Sequence, residues 1–477
     1  MVYLKRNGSQ TEMKIRLSKT AKSATAIQFL FEESKNLPQD FKASVNEVAV
    51  RYEDDIINIY CGLGKEDEVS ERTLKTAAAK GIQKASELKK EHVSVILPEI
   101  KRLNNEKLLN CLKGALLGKY KFVKYKSEKP ASVETIDIVS GRAVTAIEIS
   151  RAETMADSVN YARDLVNENA HKMTPAQLAK EALAISKSSG MKLTVLDEQD
   201  ISREKLNLIK AVGEGSLFPP RLIILEYNGS SRSKERQMIV GKGITFDSGG
   251  LNLKPTGSME TMRSDMSGAA AVLGVMKCIG ALKPKINVCG VVPAAQNALG
   301  AKAYFPGDVY KSYEGLTVEI CSTDAEGRLI LADAISYSRK KVKPTAIVDL
   351  ATLTGAIAIS LGDTAAGLYS NSDELAQKLF EAGERSGDRL WRMPLYQEYS
   401  DSIKSEIADL RNLSKFKKGH AGSNTAAAFI KEFCGNIPWA HIDIAGVSWN
   451  DSAPKGEIAQ FATGYGVQLI IDYLLNN

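Results

Sequence analysis

Hydrophobic and polar positions along the chain follow two periodicities. In the first third, "EVAVRYEDDIINIYCGLG" and "HVSVILPEI" are apolar, β-branched runs, and "SERTLKTAAAKGIQKASELKK" between them has helical spacing. This pattern predicts an α/β domain in which the charge run at residues 74–91 is the solvated face of a helix. "ISRAETMADSVNYARDLVNENAHKMTP" predicts a helix that ends in an Asn-rich stretch and restarts with Thr174 as cap and Pro175 as first helical residue. Further on, "RLIILEYNG", "QMIVGKG", "INVCGVVPAA", "TVEICSTD" and "TAIVDLATL" suit a buried, mixed, largely parallel central sheet flanked by helices. The expected organisation is a smaller N-terminal α/β domain over residues 1–145, a linker helix over 146–174 and a larger C-terminal α/β domain over 175–477.

Composition narrows the class. A chain of 477 residues with 44% hydrophobic and 25% charged residues is that of a globular protein, neither disordered nor fibrous. "MVYLKRNGSQTEMKIRL" places charges where a secretory signal needs an unbroken apolar stretch, so a cytoplasmic protein is expected. The most membrane-like segment, residues 345–362, is interrupted by Asp349 and by several Thr and Gly residues, which predicts a buried strand, a loop and a helix and no membrane partner. Cys61, Cys111, Cys278, Cys289, Cys321 and Cys434 are scattered without a C-x-x-C pair and read as reduced core thiols. With four histidines the chain has no histidine-rich metal site to build. The net charge of +6 is compatible with nucleic-acid contact, but no DNA-reading motif accompanies it.

The chemistry concentrates in three stretches. "VGKGITFDSGG", residues 240–250, has the glycines and lysine of a nucleotide loop but not their order. A phosphate loop needs G-x-x-x-x-G-K-[ST] opening into a helix, whereas Gly243 follows Lys242 and the chain runs on without helical character. The loop also carries Asp247, for which a phosphate site has no use. "MRSDMSGAAAV" puts Asp265 before an Ala-rich helix, and "STDAEGRLILADA" puts Asp324 and Glu326 between a strand and the next helix. Taken singly, Asp265 is a helix cap, Asp324 and Glu326 a solvated turn, Lys242 and Lys254 surface lysines, and Arg328 a partner in a surface salt bridge. Together they lie at strand-to-helix junctions, where open α/β sheets build their sites. Asp247, Asp265, Asp324 and Glu326 supply four negative charges, which two divalent cations neutralise. Lys242 then serves as a neutral amine ligand and Lys254 stays charged towards a substrate, an oxygen-rich set suited to zinc or manganese.

These stretches closely resemble the leucyl aminopeptidase family of cytosolic dinuclear metallopeptidases. The resemblance extends through "ARDLVNE", "PPRLIILEYNG", "DLATLTGA" and "WAHIDIAG", and more loosely through "INIYCGLGKEDE" and "VSVILPE" in the first domain, for which it implies a macro-like fold. It implies Lys242, Asp247, Asp265 and Glu326 as ligands of one metal (Mn2+ or Zn2+) and Asp247, Asp324 and Glu326 as ligands of the other. A water held between the metals is the implied nucleophile, Lys254 polarises the scissile carbonyl, and Arg328 holds a bicarbonate that acts as general base. The substrate is a peptide whose free N-terminus binds one metal and Asp265, with Met262, Thr352 and Gly355 lining a pocket for leucine-like side chains. The implied assembly is a homohexamer, a dimer of trimers, and DNA binding is a secondary expectation because some bacterial members bind it. Two positions depart from the family pattern, Ser322 for the usual Asn and Gln296 for the usual Glu; both bear on substrate preference and not on the reaction class.

Overall fold

The computed structural model describes residues 13–128, 130–417 and 419–476, so most of the stretch used to argue against a secretory signal lies outside the described residues. The chain divides into two compact units, one comprising residues up to Asn160 together with Asn450–Phe461, the other Tyr161–Trp449 together with Ala462–Asn477.

In the first unit, β1 (Lys14–Ser18), β2 (Thr25–Leu30), β3 (Val48–Glu53), β4 (Ile56–Gly62), β5 (His92–Ile96) and β6 (Thr135–Val139) form one sheet in the order β1-β6-β5-β2-β4-β3. Every pair is parallel except the β3–β4 hairpin, which turns at Asp54 in a left-handed conformation, φ 51°. The helix Glu71–Glu87 begins in a capping box between Ser70 and Thr73 and buries Leu74, Ala78, Ile82 and Ala85, spaced by three or four residues. Lys80, Lys84, Glu87 and Lys89 are at least partly exposed, as a solvated face requires, but Lys75 is buried, a departure from that expectation.

The second unit carries the chemistry. Its strands are β7 (Lys192–Leu196), β8 (Arg221–Asn228), β9 (Gln237–Gly241), β10 (Gly243–Asp247), β11 (Asn287–Asn297), β12 (Val309–Lys311), β13 (Thr317–Glu319), β14 (Ala346–Ala351), β15 (Ala366–Ser370), β16 (Leu390–Arg392), β17 (Leu410–Arg411) and β18 (Trp439–Asp443). Among the described residues, nine of these make one mixed sheet in the order β16-β15-β18-β14-β9-β11-β8-β7, with β10 also on β11. The pairs joining β18, β14, β9, β11 and β10 are all parallel, so the carboxyl ends of these strands lie on one edge. "TVEICSTD" departs from the sequence expectation. Its strand β13 leaves the large sheet and pairs with β12 and β17 in a separate three-stranded one, because only Thr317–Glu319 are extended before the chain turns into a loop.

Local signals behave as their chemistry dictates. Thr174 accepts the Gln177 amide at the start of the helix Pro175–Ser189, which closes at Gly190 with φ 76°. Residues 345–362 resolve into β14, a short turn and the helix Gly355–Leu361. Among the described residues the segment apolar and long enough to cross a membrane is Met262–Leu282, but 83% of its apolar window is buried inside the protein, as in the core helix of a globular protein.

Asp333, fully buried on the helix Gly327–Val342, accepts the amides of Leu208 and Ile209 at 2.8 and 3.3 Å and that of Tyr313 at 2.8 Å. It thereby caps the helix Asn207–Gly213, whose own preceding residue, Leu206, has no capping side chain. Burial pushes its carboxyl up to about 7, against the three amides that favour the anion. The folded carboxyl thus keeps its proton between pH ~4 and ~7 while the unfolded one loses it, so its contribution to stability falls as pH rises through that window and is level above it. Urea denaturation between pH 4 and 8 should show the stability of wild type relative to Asp333→Asn declining by up to about 4 kcal/mol from pH 4 to 7; a pH-independent difference would contradict the buried, proton-holding carboxyl.

Candidate metal centre

The site forms where β10 ends. Asp247 is the last residue of β10, and Gly249 and Gly250 then reverse the chain with φ of 85° and 63°. A Cβ at Gly249 would stand 2.4 Å from the Asn252 carbonyl and 2.8 Å from an Asp324 carboxylate oxygen, so only glycine lets the two loops meet. Lys242 sits between β9 and β10, its amide donating to Leu350 and its carbonyl accepting from Ala269. Its side chain passes over Gly327, where a Cβ would lie 2.5 Å from Lys242 Cε.

Four carboxylates converge on two lysines. Lys242 Nζ is 2.8 Å from Asp265 and 2.9 Å from Glu326, and it also donates to the Thr352 carbonyl at 2.8 Å. Lys254 Nζ is 2.9 Å from Asp247 and 2.6 Å from Asp324. Asp247, Asp265 and Glu326 are buried and offer carboxylate oxygens that all lie within 4.8 Å of one another, the one such group among the described residues. Asp324 stands outside this triad, partly exposed, and reaches Asp247 through Lys254.

With both lysines charged the cluster keeps two negative charges in excess in a setting where an uncompensated buried charge costs several kcal/mol. Its titration reflects burial first and the crowding of carboxylates after it: Asp265 is raised well above the ordinary carboxylate range, with Lys242 opposing and Glu326 adding to the burial. Burial, and then Glu326, push Asp247 up to about 6; burial, and then Glu326, also raise Asp324. Burial works against the ammonium of Lys242, but Asp265, Glu326 and Asp247 outweigh it and hold the group charged. Burial works likewise against Glu326, and Lys242 and Lys254 keep it ionised. Glu326 Oε2 is buried without a hydrogen-bond partner. A charge deficit, an orphaned carboxylate oxygen and an all-oxygen donor set with adjacent amines fit divalent cations.

The remaining predicted residues take definite places. Asp265 does not cap the helix Ser267–Leu282, which starts two residues later with Met266 before it; it lies in the 3-10 turn Met262–Met266 and accepts the Thr352 hydroxyl at 2.7 Å. Met262 opens that turn, half-buried, and Gly355, exposed, opens the helix Gly355–Leu361. Arg328 is buried, not in a surface salt bridge: its Nη1 donates to the Asn412 carbonyl at 2.8 Å, its Nε has no hydrogen-bond partner, and burial lowers its pKa to about 10, still cationic at neutral pH. Ser322 accepts the Asp324 amide within their loop. Gln296 bonds Ser216, on the face of β11 opposite its neighbour Asn297.

Two supporting residues escaped the sequence reading. Asn297 donates to Asp247 at 2.8 Å and to the Thr323 carbonyl at 3.0 Å, tying β10 to the Asp324 loop. Asp443, fully buried at the end of β18, accepts the Leu353 amide at 3.1 Å and the hydroxyls of Thr354 and Ser423 at 2.7 and 2.9 Å, fixing the turn that presents Thr352. Their signal is a lone Asn or Asp ending an apolar strand, which carries meaning only once the strands are known to share an edge.

A buried, cation-demanding carboxylate cluster at the carboxyl edge of a largely parallel sheet defines an α/β protein built around a metal site. The chain belongs to the cytosol aminopeptidase family: that family's catalytic domain matches residues 160–471 and its N-terminal domain residues 39–129. It is 40% identical over 447 residues to the "Probable cytosol aminopeptidase" of Protochlamydia amoebophila, covering 91% of this chain and 89% of that protein. It is 42% identical to the protein of the same name from Roseiflexus castenholzii, covering 87% and 86%. Among solved structures, the bottromycin maturation enzyme BotP superposes with a TM-score of 0.86 at 29% identity, over 95% of this chain and 98% of that one; its complex with Mn gives 0.87, over 94% and 98%. The protein is accordingly a metal-dependent aminopeptidase of the two-domain α/β type.

Gly327 gives a direct test of the packing around Lys242. By helix propensity alone, Gly327→Ala would stabilise the chain by ~1 kcal/mol; the clash with Lys242 should reverse this to a loss of about 1–3 kcal/mol, with weakened manganese binding. Denaturant melts and metal titration check it, and unchanged or raised stability with native metal affinity would contradict the close passage.

Proposed function

We propose that the protein releases N-terminal leucine and other apolar residues from peptides with a free amino terminus, using two divalent ions per chain, manganese or zinc. The observation that carries this reading is the buried cluster of Asp247, Asp265 and Glu326, short of positive charge and left with a bare Glu326 oxygen. Manganese accompanies one solved relative, which supports that choice of ion.

In this reading Lys242, Asp247, Asp265 and Glu326 would hold one ion and Asp247, Asp324 and Glu326 the other. When bound, such ions supply Lewis-acid chemistry, making water a nucleophile at neutral pH and stabilising developing negative charge. Asp247 and Asp324, raised first by burial and then by Glu326, would be held ionised beside such ions, and Lys242, facing them, would serve as a neutral amine. Lys254, whose Nζ reaches Asp247 and Asp324, would donate to the scissile carbonyl oxygen. Asp265, its carboxylate oriented by the Thr352 hydroxyl, would accept from the substrate's free terminal amine, which one ion would also bind. Arg328, cationic with an Nε that has no hydrogen-bond partner, would hold a small oxyanion such as bicarbonate, which when bound supplies a general base. Met262, Thr352 and Gly355 would wall the pocket for the first side chain; an apolar pocket discriminates by only about 1–3 kcal/mol per methylene, so specificity among apolar residues is broad.

The relatives' name supports a cytoplasmic setting. A homohexamer of paired trimers is supported by the family resemblance and by the exposed Tyr396 and Phe416, which flank the half-buried Tyr399 with ring centroids 6.0 and 6.3 Å from it. An additional role in binding duplex DNA rests on the family resemblance and on the +6 net charge, and stays subordinate.

Manganese-loaded protein should release nitroaniline from leucine-p-nitroanilide and leave the N-acetylated compound intact, while Asp324→Asn should lose metal occupancy and at least ~100-fold in turnover. Cleavage of the acetylated substrate, or full activity in a folded, metal-replete Asp324→Asn, would refute the reading. In light scattering the mass should lie near six chains of 51.8 kDa; a monomer would overturn the assembly.

A further inference from the structure

We propose that Asn412 is a positioning residue for the metal centre: from a different strand pair, one buried amide sets the loop that carries Asp324 and Glu326 and, through its own carbonyl, the direction of Arg328. The inference rests on the metallo-aminopeptidase reading above.

Residues 321–325 lie between β13 and the helix Gly327–Val342 and have no strand or helix ladder of their own to hold them. Besides the bonds that the Thr323 carbonyl accepts from Asn297 and the Tyr304 hydroxyl, anchors on two sides fix them. On one side Thr323 bonds the β10 loop, its hydroxyl donating to the Gly249 carbonyl at 2.6 Å and its amide to Asn252 at 2.8 Å. On the other stands Asn412, fully buried, immediately after β17. Its Oδ1 accepts the amides of Cys321 and Ser322 at 2.7 and 3.2 Å, and its Nδ2 donates to the carbonyls of Ser322 at 2.7 Å and, more weakly, Ala325 at 3.4 Å. Its backbone amide donates to the Glu319 carbonyl at 3.0 Å, and its carbonyl accepts Arg328 Nη1 at 2.8 Å.

The chemistry of the clamp requires an amide. Turning the side chain over would set NH2 against two N–H groups and oxygen against two carbonyls, so the hydrogen-bond pattern fixes a single orientation. A carboxylate of the same shape would lose both donors and press an anion against the Ser322 carbonyl beside an already overcharged cluster. Metal and catalytic groups need placement within about 0.5 Å. Asp324 and Glu326 flank the segment that Asn412 holds, and the Arg328 guanidinium is anchored to the same residue, so displacement of Asn412 moves three groups of the site together.

The strand pair offers an internal control. Asp409 accepts the Thr317 amide and hydroxyl at 2.8 and 2.7 Å, joining the same two chain segments without touching the loop. The experiment compares Asn412→Ala, Asn412→Asp and Asp409→Ala with wild type, in the full chain, by manganese titration calorimetry and by steady-state kinetics on leucine-p-nitroanilide. Asn412→Ala should bind manganese at least about ten-fold more weakly and lose kcat by a similar or larger factor with KM within about three-fold, Asn412→Asp should be worse despite its matching shape, and Asp409→Ala should stay within about two-fold on each. A folded Asn412→Ala with wild-type manganese affinity and kcat would overturn the proposal, and so would an equal loss in Asp409→Ala, which would reduce the effect to loosened strands. Should Asn412→Ala not fold, Asn412→Ser is held to the same thresholds. Wild-type protein that binds manganese yet releases no nitroaniline would defeat the aminopeptidase reading, while the affinity comparison would still decide for or against Asn412.

Discussion

The constraint on which the second unit depends is electrostatic. Four carboxylates, Asp247, Asp265, Asp324 and Glu326, are brought to one place with two lysines to meet them, and three of the four are buried. Hydrophobic packing does not favour such an arrangement, since each buried charge left uncompensated costs several kcal/mol. The surrounding structure holds it together regardless, and the excess negative charge makes the site a receptor for cations. Lys242 and Lys254 bring that excess down to two charges, the charge of a single divalent ion.

The scaffold supplies rigidity by the cheapest route available to a parallel sheet. β9, β10, β11, β14 and β18 run in one direction, so five strand ends deliver residues to one edge without any strand being distorted. Neutral and backbone groups then brace the loops beyond the strands: Asn297 on Asp247, Thr323 on Gly249, and Asp443 on the Thr352 turn. Asp443 is the acidic exception, and it is met by amides and hydroxyls, the donors a buried carboxylate needs. Glycine acts where a side chain would block the approach, at Gly249 between the two carboxylate loops and at Gly327 beneath Lys242.

Much of this was legible in the sequence, for identifiable reasons. Apolar runs named the strands of the large sheet because strands buried on both faces need continuous hydrophobicity, and Thr174 with Pro175 marked a helix start because capping is a local event. Asp247, Asp265, Asp324 and Glu326 stood out because each sits at a junction between elements, in stretches that together resemble one family. Asn297, Asn412 and Asp443 did not stand out. Each acts on residues about 50 to 90 positions away in the chain, and a single Asn or Asp gives no local sign of such a partner. The assignment of β13 to a small separate sheet, the burial of Lys75 and the grouping of Asn450–Phe461 with the first unit were equally hidden, since each is decided by tertiary packing and not by pattern.

The measurement that bears most directly on the cation-demanding cluster is the number of manganese ions bound per chain at equilibrium, determined by dialysis and elemental analysis on the folded protein and on Glu326→Gln. Wild type should hold two ions per chain, and Glu326→Gln, which removes the orphaned oxygen's charge from both proposed sites, should hold fewer than one. Stoichiometric binding of no manganese or zinc by wild type, or two ions retained by Glu326→Gln at unchanged affinity, would contradict the assignment of this buried charge to metal.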